Sequence, residues 1–164
     1  MASEKILACS KLLAGHGLSV AFAESATAGW LCSEFALAPE SGKVLMGGIV
    51  CYDASLKESI LGVPAELIKK FTPESQEVTA ELARRLQPMI AADICIGVTG
   101  LTTPGGSETE DKPVGTMFIS ALIKGEMVNL RKVFKGSCEE IIQQTVDAVA
   151  ALLIEQVAIK FSNR

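Results

Sequence analysis

Val20-Ala21-Phe22-Ala23-Glu24-Ser25-Ala26-Thr27-Ala28-Gly29-Trp30 changes period half-way along. Its first half follows the turn-forming Gly15-His16-Gly17 and is a brief apolar run, which predicts a buried strand over Leu18 to Glu24. In the second half Trp30, Leu31, Phe35 and Leu37 recur at helical spacing, which predicts a helix from about Thr27 to Leu37. A strand running straight into a helix leaves first-turn N–H groups pointing outward at the positive end of the helix dipole. That end favours an anion or a developing oxyanion. Ser25 and Thr27 set hydroxyls at this junction. Such a hydroxyl has two roles open to it, the commoner helix cap or the rarer nucleophile on an elbow.

The flanking segments alternate. Ser3 to Ala14 is helical in pattern and ends at Gly15 or Gly17. Val44 to Tyr52 is a strand whose Gly47-Gly48 pair suggests a bulge or a close backbone approach. Asp53 to Leu61 is a short helix capped by Asp53 or Ser55, and Pro64 opens another through Phe71. Pro73-Glu74-Ser75-Gln76-Glu77 opens a long helix to about Ala92, bent or divided at Pro88. Asp93 to Thr99 is a continuous apolar strand, followed by a long loop rich in Gly and Thr that is a candidate for ligand binding. Val114 to Ile123 and Met127 to Lys135 form a hairpin about Lys124-Gly125-Glu126, and a last helix runs from Ser137 to Phe161. This order predicts one α/β domain over residues 1–164, a three-layer α/β/α sandwich with a mixed, mostly parallel sheet. Ligands in such folds bind at the carboxyl ends of the parallel strands, where Glu24-Ser25, Tyr52-Asp53 and Thr99 to Gly106 fall.

Composition narrows the function. The formal charge is −4 with no basic run, which argues against an electrostatic nucleic-acid partner. We expect no membrane span, since no apolar run looks long enough, and Met1 to Lys5 lacks the regions of a signal peptide. Five scattered cysteines, none in a Cys-x-x-Cys pair, fit buried thiols in a reducing cytoplasm. The single histidine, His16, lies in a turn before the first strand, which argues against a His-rich metal centre and a Ser-His-Asp triad. A serine hydrolase built from this chain takes a lysine as base. Ser25, Tyr52 and Lys57 are placed to converge, with Tyr52 orienting Lys57 or relaying its proton. The alternative is a solvated surface lysine beside a strand-end aromatic.

Ala23-Glu24-Ser25-Ala26-Thr27-Ala28-Gly29 resembles the Ala-Glu-Ser-Cys-Thr-Gly-Gly signature of the CinA C-terminal domain family. Gly48-Ile49-Val50-Cys51-Tyr52 with Lys57 and Leu61-Gly62-Val63 resembles its Gly-x-Val-x-Tyr, Lys and Leu-Gly-Val block. Ser75 sits in the Val-Ser-x-x-Val position. Thr99-Gly100, Pro104-Gly105-Gly106 and Lys112-Pro113-Val114-Gly115 resemble its Thr-Gly-Ile-Ala-Gly-Pro-x-Gly and Lys-Pro-Val-Gly blocks. The resemblance implies hydrolysis of the carboxamide of nicotinamide mononucleotide to nicotinate mononucleotide and ammonia, with no metal and no cofactor. It implies Ser25 as nucleophile, Lys57 as base and Tyr52 as its partner. It places Glu24, Ala26, Thr27, Ser75, Thr99, Gly100, Gly105 and Gly106 around a small-molecule nucleotide substrate, and suggests a homodimer or higher homo-oligomer. The chain departs from the pattern at Ala26 for Cys, at Ala28 and Thr103 for Gly, and at Cys138 for an arginine before the last helix.

Overall fold

The structure, a computed structural model, describes residues 1–162. Helix α1 (Glu4–Gly15) starts where Ser3 Oγ accepts from the Ile6 N–H and stops at His16, whose Nδ1 lies 2.9 Å from the Leu12 carbonyl oxygen. Strand β1 (Val20–Glu24) follows, then α2 (Trp30–Ala36), a single turn α3 (Ser41–Val44) and β2 (Leu45–Val50). Helices α4 (Ala54–Ser59), α5 (Ala65–Phe71) and α6 (Gln76–Leu86) lead to β3 (Ile94–Gly100). The hairpin β4 (Thr116–Ile123) and β5 (Glu126–Val133) and the long α7 (Cys138–Phe161) complete the chain. Helix α6 ends two residues before Pro88, so the proline terminates it and no bent continuation reaches Ala92.

The sheet order is β2-β1-β3-β4-β5. It is mixed, as expected, but parallel pairing is confined to β2-β1-β3. The hairpin contributes antiparallel pairings on the other side, so the two kinds are equal in number rather than mostly parallel.

Residues of β1 alternate between two cores. Val20 and Phe22 join Ile94, Ile96 and Val98 beneath α1, α2 and α7, while Ala21, Ala23 and Cys95 face α6. All five β1 residues are buried, which is why the strand reads as continuously apolar. Small side chains on the α6 face let that helix approach closely: a Cβ on Gly97 would stand 2.3 Å from the Thr79 carbonyl oxygen.

The glycine pair in β2 does both things expected of it. The register passes from Val20 opposite Leu45 to Ala21 opposite Gly47, leaving Met46 as a bulge. A Cβ on Gly48 would lie 2.6 Å from Cys32 Sγ and 2.7 Å from the Phe22 carbonyl oxygen.

Helix α7 corrects another expectation. It is long and apolar enough, by length and composition, to cross a membrane. Its buried side chains Ile141, Val146, Val149, Leu153 and Val157 pack into the larger core instead of forming a free surface. Ser137 starts it with a capping box, receiving the Glu140 N–H while the Glu140 carboxylate receives the Ser137 N–H.

Candidate active site

Ser25 extends the β1 ladder by one bond, its N–H donating to the Val98 carbonyl at 3.0 Å. The chain then makes two tight turns, Ala28 N–H to Ser25 O and Trp30 N–H to Thr27 O, through left-handed Ala28 (φ 48°) and Gly29 (φ 93°). Helix α2 therefore begins at Trp30 and not near Thr27. Neither Ser25 nor Thr27 caps it. The Glu24 carboxylate does so: it accepts the N–H groups of Gly29, Leu31 and Cys32 at 3.0, 3.0 and 2.9 Å, and the Thr27 hydroxyl at 2.7 Å. The anion expected at this helix start is thus part of the chain itself, and Glu24 and Thr27 are buried structural elements rather than ligand contacts. What the turn leaves over are the N–H groups of Ala26 and Thr27, which have no protein acceptor among the described residues. Of the two, Ala26 lines the cleft beside Ser25, so its N–H is the available donor for an oxyanion formed there.

Lys57 arrives from the neighbouring strand. Asp53 Oδ1 accepts the Ser55 N–H at 2.9 Å and caps α4, and the first turns of that helix carry Lys57 inward. Its side chain is only 1% exposed, with Nζ 2.8 Å from Ser25 Oγ and donating to the Cys51 carbonyl at 3.0 Å. Burial lowers its pKa from the ordinary lysine value, opposed by the nearby charges of Cys51, Glu74 and Asp53. A lysine so placed has the geometry to take a proton from the serine hydroxyl, and burial rules out the surface-lysine alternative. Tyr52 is in a different position from the one expected. It is 62% exposed at the rim of the cleft and makes no hydrogen bond to Lys57 among the described contacts; the backbone carbonyl of Cys51 takes that place.

Ser25 opens into a cleft of about 190 Å³, lined also by Ala26, Tyr52, Glu74 and residues 100–106. Gly100 is required by packing, since a Cβ there would lie 2.2 Å from Met117 Sδ. Gly105 and Gly106 line the cleft, but the Gly105 N–H, in the left-handed region at φ 97°, donates to Glu108 Oε1 at 2.7 Å. This bond, with the Glu108 and Gly106 N–H groups, holds the Glu108 carboxyl below its usual range. The Gly105 N–H, in the segment expected around the nucleotide, is therefore taken by a carboxylate of the chain.

Ser75 and Thr99 do not line the cleft. Ser75 Oγ accepts the Val78 N–H to cap α6, and Thr99 is fully buried with its Oγ1 2.8 Å from that of Thr79. Leu101, Thr102 and Pro104 line it as part of the loop expected to bind a ligand, and Glu74 lines it without having been singled out from the sequence. Glu74 was legible only as a residue at a helix start; nothing in its spacing shows that the loop after β3 folds across to meet it.

The departures fall in different places. Thr103 lines the cleft as expected, while Cys138 is exposed at the first position of α7 and does not. Lys132 and Lys135 also lie outside it, and among the described residues no lysine, arginine or histidine lines the cleft. No three His, Cys, Asp or Glu side chains converge as metal ligands among the described residues.

The model of the CinA C-terminal domain matches residues 3–157. The chain belongs to the CinA C-terminal domain family. Among curated relatives, a CinA-like protein of Thermotoga maritima is 37% identical over 126 residues, covering 77% of this chain and 30% of that protein. A putative competence-damage inducible protein of Moorella thermoacetica is 35% identical over 142 residues, covering 87% and 34%. The chain thus spans about a third of the length of these curated CinA relatives. Solved CinA structures match along almost their whole length. A superfamily protein from Klebsiella pneumoniae superposes with a TM-score of 0.89 at 27% identity, covering 94% of this chain and 96% of that one. One from Escherichia coli gives 0.86 at 30% identity, covering 93% and 88%. The five-stranded α/β architecture is that of the CinA superfamily.

Proposed function

We propose that this CinA-family chain is an amidohydrolase that converts nicotinamide mononucleotide to nicotinate mononucleotide and ammonia, with Ser25 as nucleophile and Lys57 as base. The observation that carries the proposal is the buried Lys57 Nζ placed 2.8 Å behind the Oγ of Ser25, which lines a cleft. Neutral Lys57 takes the Ser25 proton as Oγ bonds to the carboxamide carbon, and the carbonyl oxygen becomes an oxyanion facing the Ala26 N–H group. As the C–N bond breaks, Lys57 returns that proton to the departing nitrogen, which leaves as ammonia. Water then gives a proton to Lys57 and its oxygen to the acyl carbon. The ester bond to Ser25 breaks and Oγ recovers the proton, releasing the carboxylic acid. Tyr52, at the rim, is a contact for the substrate rather than a partner of Lys57. We further propose a cytoplasmic protein that works as a homo-oligomer.

Ammonia release by purified wild-type protein and Ser25→Ala tests this. Turnover by wild type that is lost in Ser25→Ala supports the mechanism; equal turnover by both overturns it. A second reading is favoured by the absence of a basic side chain in the lining and by Glu108 filling the Gly105 site. On that reading the chain is a silent or altered-substrate paralogue, and it predicts no turnover of the mononucleotide even at millimolar concentration.

A further inference from the structure

Among the described residues Glu74 is the one charged side chain in the cleft lining, and it comes from the loop before α6. Its Oε2 accepts the Ser107 hydroxyl at 2.5 Å, while Oε1 has no hydrogen-bond partner among the described residues. The obvious cation nearby acts on the carboxylate through its charge but does not bond to it directly. Lys112 Nζ spends its three donors on Thr72 Oγ1, the Glu74 backbone carbonyl and Ser107 Oγ, at 2.7, 2.9 and 2.9 Å. Among the described residues Glu74 is in no ion pair. Lys57 shares its surroundings, but burial disfavours the charged form of that lysine. The carboxylate is therefore oriented by the Lys112–Ser107 chain, partly shielded from water, and without a direct ion pair among the described residues. Glu108 adds a second carboxylate on the loop above. The Tyr52 ring at the same rim also suits a cation. The Val-Ser-x-x-Val block that Ser75 matches has Val where this chain has Glu74, so the charge is a departure within the cleft.

We propose that Glu74 is a specificity-determining residue that selects substrates carrying positive charge beside the reacting carboxamide, such as a pyridinium carboxamide. The inference rests on the amidohydrolase reading for its substrate, and it sharpens that reading. Affinity of the site comes from the charge on the ring, since no basic group in the lining offers itself to a phosphate.

The test compares nicotinamide mononucleotide with its 1,4-dihydro form, which differs in lacking the ring charge. The two amides differ in intrinsic reactivity, but that difference cancels when wild type is set against Glu74→Gln. The glutamine keeps an acceptor for Ser107, so the fold is retained, and Glu74→Val serves as a second variant. The expected result is a KM for the cationic substrate about tenfold higher in both variants, with kcat changed less than twofold and the neutral substrate unaffected. Equal changes for both substrates, or none, would overturn the proposal.

If wild type turns over neither substrate, the amidohydrolase reading fails and Glu74 is judged by binding. Titrations with the 1-methylnicotinamide cation and with neutral nicotinamide, followed by NMR, then decide it. A wild-type preference for the cation that Glu74→Gln abolishes supports selection by charge. Equal affinity for the two probes, or binding of neither, overturns it.

Discussion

Thr27 Oγ1 donates to Glu24 Oε2 at 2.7 Å, and both side chains are buried beneath the turn that carries Ser25. With the three N–H groups of α2 on the same carboxylate, the turn is tied to the helix from below. Ser25 is consequently held on a corner whose cap does not use its hydroxyl, which stays 2.8 Å from Lys57 Nζ.

Glu24→Gln exchanges one carboxylate oxygen for an NH2 group that cannot accept. At least one of four buried donors loses its partner, and charge assistance is lost from the others. The expected loss is about 1.5–3 kcal/mol of stability, measured by urea unfolding. Turnover falls with it, because Ser25 is no longer fixed against Lys57. A variant as stable as wild type would show that the carboxylate does not hold the turn.

Lys57→Met removes the base and is expected to lower kcat/KM by about 10²–10⁴-fold. In wild type, kcat/KM rises with pH as Lys57 loses its proton, with an inflection below the ordinary lysine value of 10.5 because burial lowers the pKa. The methionine variant lacks this limb. Stability follows the same sign. Between the lowered folded value and 10.5 the unfolded chain binds more protons, so unfolding free energy increases with pH across that window in wild type and is flatter in Lys57→Met. Paired pH profiles of activity and urea midpoint check both.

Ala28 holds φ 48°, a region where an L side chain is strained by roughly 1 kcal/mol. Ala28→Gly is expected to raise stability by about 0.5–1 kcal/mol, a net of relieved strain and added freedom in the unfolded chain. Thermal unfolding would show a higher Tm. A lower Tm would mean that the alanine methyl contributes packing that outweighs the strain.

Gly97 lies where α6 crosses β3, and a Cβ there would meet the Thr79 carbonyl oxygen at 2.3 Å and the Ala83 nitrogen at 3.2 Å. Gly97→Ala is expected to push α6 off the sheet at a cost of about 1–3 kcal/mol. Since Glu74 and Ser75 precede α6, the cleft wall moves as well. The urea midpoint should fall together with kcat/KM, and unchanged values would show that the helix has room to yield.

Much of the architecture was legible because local signals carry it. The apolar runs at β1 and β3, the cap at Asp53, the helix starts at Ser3 and Ser137 and the break at Pro88 each act within a few residues. The start of α2 was misplaced for a local reason too. Thr27 has the composition of a cap, but the buried Glu24 carboxylate won the competition for the helix N–H groups. The sequence also resembles its family at Ser25, Tyr52 and Lys57, which are the right neighbourhood for a site without being its geometry.

The sequence by itself determined the order and kind of the elements, because helix and strand periods, glycine punctuation and capping residues are short-range physics. Only the tertiary structure decided that Lys57 turns inward onto Ser25 while Tyr52 turns out, since both follow the same strand and burial depends on what packs above them. Only it brought Glu74 to the cleft, where the loop after β3 folds across and Ser107 donates to its carboxylate. Such contacts join segments far apart in the chain, where long-range packing rather than residue spacing sets the neighbours of a charge.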